Sequence, residues 1–186
     1  MSSRRFLYYY DLLFFSLLAS LPGIAENMLP RFFFLKIGFS VTIILLILPY
    51  MKLKELLIIS AVKTAVPAFL SGMIISPAFI FGLTGSLSSL FFMLLLCRLK
   101  IFSIIGISVA GAAVSNLVQY TVFLLFSGMT DAGLTGRFTG ILLIFSVSAG
   151  IITAVASVYL NKFMIKRGID VAEKAREFYR LPSVPA

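Results

Sequence analysis

The sequence predicts an all-α integral membrane protein with six transmembrane helices, because of its composition, its long apolar runs and the placement of its charges. Of the 186 residues, 60% are hydrophobic and 12% are charged, and the mean hydropathy is +1.08. Soluble proteins carry roughly 25% charged residues, and a water-soluble fold could not hide this much apolar surface. At about 20 residues per span, six spans nearly exhaust the chain, which excludes a large soluble domain.

Six uninterrupted apolar runs divide the chain into candidate spans. They must form helices or a closed barrel, because backbone groups in lipid need partners within the protein. Barrel strands alternate apolar and polar residues over about ten positions, whereas these runs are continuously apolar, which favours helices. The predicted spans cover residues 6–24, 37–50, 53–75, 78–97, 101–126 and 138–160.

Each run has its own signals. The first follows Arg4 and Arg5 and lacks a small-residue cleavage site, so we expect a retained helix rather than a removed signal peptide. The second run is shorter than a full span. It is expected to be tilted or to be extended by the preceding Phe residues. The third contains Lys63, and the fourth ends beside Arg98. The fifth and sixth are rich in small residues, which is typical of closely crossing membrane helices.

Basic residues orient the six spans. With an even number of spans both termini share a side, and most Lys and Arg residues collect on it. The positive-inside rule therefore predicts cytoplasmic termini and a multi-pass protein of the plasma or inner membrane. The net charge of +9 needs no nucleic-acid partner, because these cations face the anionic lipid of the bilayer. The predicted inner cations are Arg4, Arg5, Lys52, Lys54, Arg98, Lys100, Lys162, Lys166, Arg167, Lys174, Arg176 and Arg180, and the outer ones are Arg31, Lys36 and Arg137.

The chain is predicted to divide into a transmembrane domain, residues 1–167, and a cytoplasmic amphipathic tail, residues 168–186. In the tail Val171, Ala175 and Phe178 share one helical face, and prolines follow. An interfacial helix on the cytoplasmic leaflet is favoured. A helix that docks on a partner protein is the alternative.

Few residues suit catalysis or metal binding. The chain has no His and one Cys, Cys97, which excludes a His/Cys metal site and a disulfide framework. It has no phosphate-binding P-loop, so it is not itself an ATPase. Its three Asp residues, Asp11, Asp131 and Asp170, lie far apart and do not form the Asp-rich motifs that hold Mg²⁺ around a diphosphate. We therefore expect no enzyme activity, no catalytic residue and no catalytic cofactor.

Charged and amide side chains within the spans indicate a site. Lys63 lies some ten residues into the third span, where a charge costs at least ~2.5–3.5 kcal/mol. A ligand contact is favoured, and a structural pair with Glu26 or with backbone carbonyls is the alternative. Asn116 and Gln119 share one face of the fifth span, beside Tyr120. Such amides either join helices or read the hydrogen-bonding edge of a heterocycle, and both interpretations stay open.

The connection between the first two spans is also polar. Glu26 and Lys36 lie in it, with Pro30 between them. It is either an ordinary outer loop or a re-entrant cap over a cavity.

A series of short motifs runs through these elements in a fixed order. They are Glu26…Pro30…Lys36-Ile-Gly38, Lys63, Gly72…Ser76-Pro77-x-Phe79…Gly85-Ser86…Ser89…Met93 and Gly106…Ser108…Gly111…Asn116-x-x-Gln119. Over residues 12–165 the chain thus resembles the Gx transporter family, also described as heptaprenyl diphosphate synthase component I. That family is similar to the six-helix substrate-binding (S) subunits of energy-coupling-factor vitamin transporters, which implies an S-component-like bundle. Some of its members are associated with flavin traffic.

The chain departs from this family at three positions. Lys63 stands where an Arg is expected, which keeps the charge but loses the bidentate fork of a guanidinium. Val41 stands where relatives have Asn, and Ser115 where many have His.

The resemblance implies a transporter or binding subunit for a flavin (riboflavin, FMN or FAD), held between the first external loop and helices 3–6. The 19 Phe and 7 Tyr residues are expected to supply ring stacking. The implied partners are the lipid bilayer and either an energy-coupling module, docked on the Ser16/Ser20 or Ala19/Gly23 face, or extracytosolic flavinylation machinery. The alternatives are transport of another vitamin or of a quinone or isoprenoid precursor, a non-catalytic subunit of polyprenyl diphosphate synthesis, and a structural assembly subunit. The expected ligand-binding residues are Lys63, Asn116, Gln119, Glu26, Lys36, Tyr120, Ser86 and Ser89.

Overall fold

The described part of the chain is all helical. The computed structural model describes the backbone of residues 3–28, 38, 40–49, 51–128 and 132–166, and the side chains of 12–25, 38, 40–49, 51–128 and 139–166. Within these ranges there are six α-helices and no strands. The helices are α1 (Ser3–Met28), α2 (Val41–Ile47), α3 (Leu53–Leu70), α4 (Pro77–Leu99), α5 (Ile104–Ser127) and α6 (Ala132–Lys166). The all-α prediction is confirmed for these residues.

Local sequence explains where several helices begin and end. At the start of α3 the Glu55 carboxylate accepts a hydrogen bond of 2.8 Å from the backbone N–H of Lys52. Pro77 occupies the first turn of α4, where its missing N–H costs nothing. At the start of α5 the hydroxyl of Ser103 accepts from the Gly106 N–H at 3.3 Å. Gly128 ends α5 with φ of 65°, a left-handed conformation that glycine adopts without strain.

Three of the described helices are long and apolar enough to cross a membrane, namely α4, α5 and the part of α6 from Thr139 to Lys166. In α3 the 18 residues include the charged Lys54, Glu55 and Lys63. The described apolar part of α1, Leu12–Ala25, is shorter than a full span.

The second predicted span differs from the structure. A helix was expected over 37–50, but Gly38 has φ of +83° and α2 covers just the seven residues Val41–Ile47. Every side chain from Thr42 to Leu48 is buried. An apolar run that is buried in protein and one that faces lipid have the same hydropathy, which is why the sequence alone indicated a span.

The third predicted span also ends early. It was expected to reach residue 75, whereas α3 stops at Leu70 and the chain turns at Gly72, which has φ of +66°.

The five longer helices pack in a row, and α2 is buried against three of them. Helix α1 packs on α3, α3 on α4, α4 on α5 and α5 on α6, while α2 contacts α1, α5 and α6. Ile44 and Leu45 of α2 belong to one apolar core with Phe15 of α1, Leu56 of α3 and Leu90 of α4. The α2 side chains therefore hold the inner faces of the longer helices together.

Small residues allow close crossings, as the sequence predicted. A Cβ added at Gly85 of α4 would lie 2.9 Å from the Ser115 carbonyl oxygen of α5. One added at Gly150 of α6 would lie 2.5 Å from the Val109 Cα of α5. Real Cβ atoms do not approach other atoms so closely, so these crossings require glycine.

The small residues of α1 serve the internal packing of the chain. Ser16, Ala19, Ser20 and Gly23 are all buried, and a Cβ at Gly23 would lie 2.9 Å from the Pro67 ring of α3. The face proposed for docking an energy-coupling module is therefore already covered within the described chain.

The outward surface is strongly apolar. Leu125 of α5 is 78% exposed and Ile144 of α6 is 72% exposed, and many other Leu, Ile and Phe side chains also face outward. Soluble monomers rarely expose contiguous apolar surface on this scale, so this surface suits lipid contact. The predicted amphipathic tail lies outside the described residues.

Candidate functional site

A small cavity that includes several polar side chains in its lining lies between α1, α3, α4 and α5. We call it the polar cavity; its volume is about 70 Å³. Its lining residues come from five helices and from the segment before α2, and it contains one cation, one side-chain amide and several hydroxyl groups among the described residues. They are Gly23, Gly38, Ser40, Val41, Lys63, Thr64, Pro67, Gly82, Ser86, Ser89, Ser115 and Gln119.

Helix α3 contributes Lys63, Thr64 and Pro67 to this cavity. Together with Ser60 they follow the i, i+3, i+4, i+7 spacing that places side chains on one helix face. Lys63 is 7% exposed, and the Thr64 hydroxyl donates to the Ser60 carbonyl at 3.0 Å. The charge predicted to lie in an unusual environment is therefore buried and borders the cavity.

Helix α4 contributes two hydroxyl groups in different situations. The Ser86 and Ser60 hydroxyls lie 2.8 Å apart in a hydrogen bond that joins α4 to α3. The Ser89 hydroxyl is fully enclosed and has no hydrogen-bond partner in the described structure. A buried hydroxyl without a partner carries a free-energy cost of about 1–3 kcal/mol, which a bound ligand or water could remove.

Helix α5 carries the two amides predicted to share a face. The Gln119 Nε2 donates to the Ser115 hydroxyl at 2.9 Å, and the Gln119 side chain borders the polar cavity. The absence of a side chain at Gly85 makes this position possible, since a Cβ there would lie 2.7 Å from the Gln119 Nε2.

Asn116 faces a second, smaller cavity of about 30 Å³, which we call the side cavity. The Asn116 Nδ2 donates to the Ser146 hydroxyl of α6 at 2.8 Å. This is the helix-joining role that the sequence left open for such an amide. The side cavity shares four lining residues with the polar cavity, Gly38, Val41, Ser89 and Ser115. The unpartnered Ser89 hydroxyl thus lies where the two cavities meet.

Replacing Ser146 by alanine is expected to destabilise the protein by about 1 kcal/mol, because the buried Asn116 amide loses its acceptor. The apparent melting temperature in detergent should fall by about 2–4 °C. Ser148→Ala is the matched control. Ser146 and Ser148 each donate to the carbonyl four residues earlier, but Ser148 is exposed. Equal melting temperatures for the two variants would contradict the role of the Asn116 contact.

The structure brings together four of the predicted ligand-binding residues, Lys63, Ser86, Ser89 and Gln119, at the polar cavity. Asn116 lies at the adjoining side cavity. Tyr120 is buried but lines neither cavity, so its contact with a ligand stays a prediction. The other two predicted residues lie in the connection after the first span. The side chain of Glu26 and the whole of Lys36 are outside the described residues.

Several lining residues were not expected from the sequence. Ser40, Thr64 and Thr153 line the two cavities, and Ser60 supports them. Counting three residues back from Lys63 finds Ser60, and counting four residues forward from Ser60 finds Thr64. No sequence signal distinguishes Thr153, because membrane helices commonly hydrogen-bond such hydroxyls to their own backbone, as Thr153 does to Ala149.

The predicted aromatic stacking is absent from both linings, in which no described Phe or Tyr takes part. Some described aromatic rings instead pack between α4 and α5. Phe81 forms edge-to-face contacts with Phe123 and Phe126, with ring centroids 6.2 Å and 5.7 Å apart.

The comparison with protein families matches residues 15–163 to heptaprenyl diphosphate synthase component I. Searches of curated proteins and of solved structures found no match to this chain. The matched segment covers most of the 186 residues and includes every described residue of the two cavities. The chain therefore belongs to the heptaprenyl diphosphate synthase component I family.

Proposed function

We propose that this protein is a membrane-embedded binding or transport subunit for a small molecule, with the polar cavity as its ligand site. The observation that carries this is the unpartnered Ser89 hydroxyl, enclosed at the junction of two cavities and grouped with Lys63 and Gln119. Desolvated polar groups of this kind lower the stability of a fold unless something else binds them. Ligand sites contain a small number of polar groups that converge on the ligand, as these do.

The charges of the described helix ends support one orientation of the bundle in the membrane. Lys52, Lys54, Arg98 and Lys100 lie at the end of the bundle where α3 begins and α4 ends. The described turns at the opposite end, residues 71–76 and 128, contain no charged side chain. The positive-inside rule assigns the basic end to the cytoplasm.

The chemistry of the lining suits a ligand with carbonyl or phosphate oxygens. The Lys63 ammonium can donate to such an oxygen, the Gln119 amide can both donate and accept, and the serine hydroxyls can do either. An isoalloxazine ring offers this combination along one edge. A flavin is accordingly the ligand that we propose to test first.

A flavin requires the site to widen. The polar cavity measures about 70 Å³, whereas sites for drug-sized molecules occupy about 300–1,000 Å³. Flavin binding therefore requires a wider form of the cavity than the described one. We propose that the first helix and the connection to α2 move to admit and release the ligand, as lids do in many binding proteins.

Titration of the purified protein in detergent tests this function. Riboflavin and FMN are expected to bind with quenching of flavin fluorescence, and protein purified from the membrane is expected to carry a yellow chromophore. AMP is the control, because it has a phosphate and a flat ring but no isoalloxazine. An absence of both colour and binding would exclude flavin as the ligand. Equal binding of AMP would indicate a phosphate site of lower selectivity.

The description of the family favours a second candidate, a non-catalytic membrane subunit of a polyprenyl diphosphate synthase system. Co-purification with a catalytic prenyl synthase component, and a rise in its product yield when this chain is added, would support that candidate. Flavin binding without such an association would favour the first.

A further inference from the structure

We propose that a third cavity, at the basic end of the bundle, binds the phosphate group of an anionic amphiphile. This basic cavity has a volume of about 420 Å³ and lies where α2 leads into α3 and α4 ends. Lys52, Arg98 and Lys100 line it together with Leu48, Leu94 and Cys97. It shares no described lining residue with the polar cavity.

Three cations border one space here. Lys52 precedes the first residue of α3, Arg98 is in the last turn of α4, and Lys100 caps α4 with φ of 55°. The described lining of this cavity contains no acidic residue. The nearest acidic residue in sequence, Glu55, accepts from the Lys52 backbone N–H. Mutual repulsion of these cations falls when an anion binds between them.

The helix ends do not by themselves select an anion. The first turn of α3 carries partial positive charge, and the last turn of α4 carries partial negative charge. Both border the cavity, through Leu53 and Cys97 respectively. Because the two contributions oppose each other, the three side-chain cations determine the sign of the field.

The lower part of this cavity is apolar. Leu48 is 2% exposed and Cys97 is 5% exposed, whereas Lys52, Arg98 and Lys100 are exposed at the rim. A charged rim above an apolar floor suits a phosphate that carries a hydrocarbon group. A lipid headgroup and a soluble phosphate share this chemistry, and the experiment separates them.

Lipid retention tests the proposal on the full-length protein. Native mass spectrometry in detergent containing phosphatidylglycerol or phosphatidylcholine should show selective retention of phosphatidylglycerol. Arg98→Gln is expected to lower that retention about fivefold, because one cation near anionic lipid contributes a factor of this order. Lys166→Gln is the matched control, since it removes one exposed cation from the last turn of α6, outside the cavity.

The chain has one cysteine, which provides a readout without any substitution. Cys97 lines the cavity, so bound phosphatidylglycerol should slow its reaction with a small thiol reagent. Equal protection by inorganic phosphate or pyrophosphate would assign the site to soluble phosphate instead of lipid. The proposal is overturned if neither protects Cys97, or if Lys166→Gln lowers lipid retention as much as Arg98→Gln. Protection of Cys97 is measured without any substitution, so it tests the proposal even if Arg98→Gln fails to fold.

Discussion

Replacing Gly150 by alanine is expected to separate α6 from α5 and to lower the apparent melting temperature by about 2–12 °C. The added Cβ would lie 2.5 Å from the Cα and 2.9 Å from the backbone nitrogen of Val109. Backbone atoms of a helix cannot turn aside as a flexible side chain can, so the whole helix must shift. Overpacking of this kind costs about 1–3 kcal/mol, and occasionally more.

The shift would also disturb a polar contact at the same crossing. The Ser108 hydroxyl of α5 donates to the Gly150 carbonyl at 2.8 Å and lies 2.7 Å from the Thr153 hydroxyl. These groups are buried, so a loss of their contacts adds to the cost. Thermal unfolding in detergent, followed by size-exclusion chromatography of heated samples, measures the effect.

Gly140→Ala is the control for this experiment. Gly140 lies in the same helix, but a Cβ there would meet nothing within 4 Å. Alanine favours helix over glycine by about 1 kcal/mol, so this variant should match or exceed the wild-type melting temperature. If the two alanine variants unfold at the same temperature, the close crossing at Gly150 does not limit stability.

Replacing Lys63 by methionine is expected to weaken ligand binding by roughly 10- to 100-fold while the fold is kept. Lys63 borders the polar cavity, and a hydrogen bond to a charged group contributes about 1.5–3 kcal/mol. Methionine preserves much of the aliphatic length without the charge. Fluorescence titration with the flavin that binds wild-type protein measures the change. Lys54→Met, at an exposed position in the first turn of α3, is the control and should bind normally.

Ser89→Ala separates a ligand-binding role from a purely structural one. The enclosed hydroxyl lacks a partner, so its removal should leave the ligand-free protein equally stable or slightly more stable. Affinity for the ligand should nevertheless fall. If the protein is instead a structural assembly subunit, both Lys63→Met and Ser89→Ala should leave its function intact.

Predictions based on the charge or size of a single side chain agree with the structure. Lys63 was identified because a charge inside an apolar run needs an enclosed polar environment, and the structure buries it beside hydroxyl groups. The small residues of the sixth span were predicted to permit close helix crossing, and Gly150 does so against α5.

Predictions of which neighbouring helix or cavity a side chain faces agree with the structure only in part. Asn116 and Gln119 do lie on one side of α5, but they border different cavities, since Asn116 turns toward α6 and Gln119 toward α4. Ser40 reaches the polar cavity through a segment whose position follows from the left-handed turn at Gly38. Spacing along one helix cannot show which neighbour each side chain meets.

The helical class, the apolar outer surface and the presence of a buried cation could all be predicted from the sequence, because each follows from the free-energy cost of exposing or burying a given group. Tertiary structure alone decided that α2 is a short buried helix and that the small face of α1 packs inside the chain. It also decided that Ser89 lies unpartnered between two cavities. Hydropathy has the same value whether an apolar residue contacts lipid or protein, so only the packing of all the helices distinguishes the two.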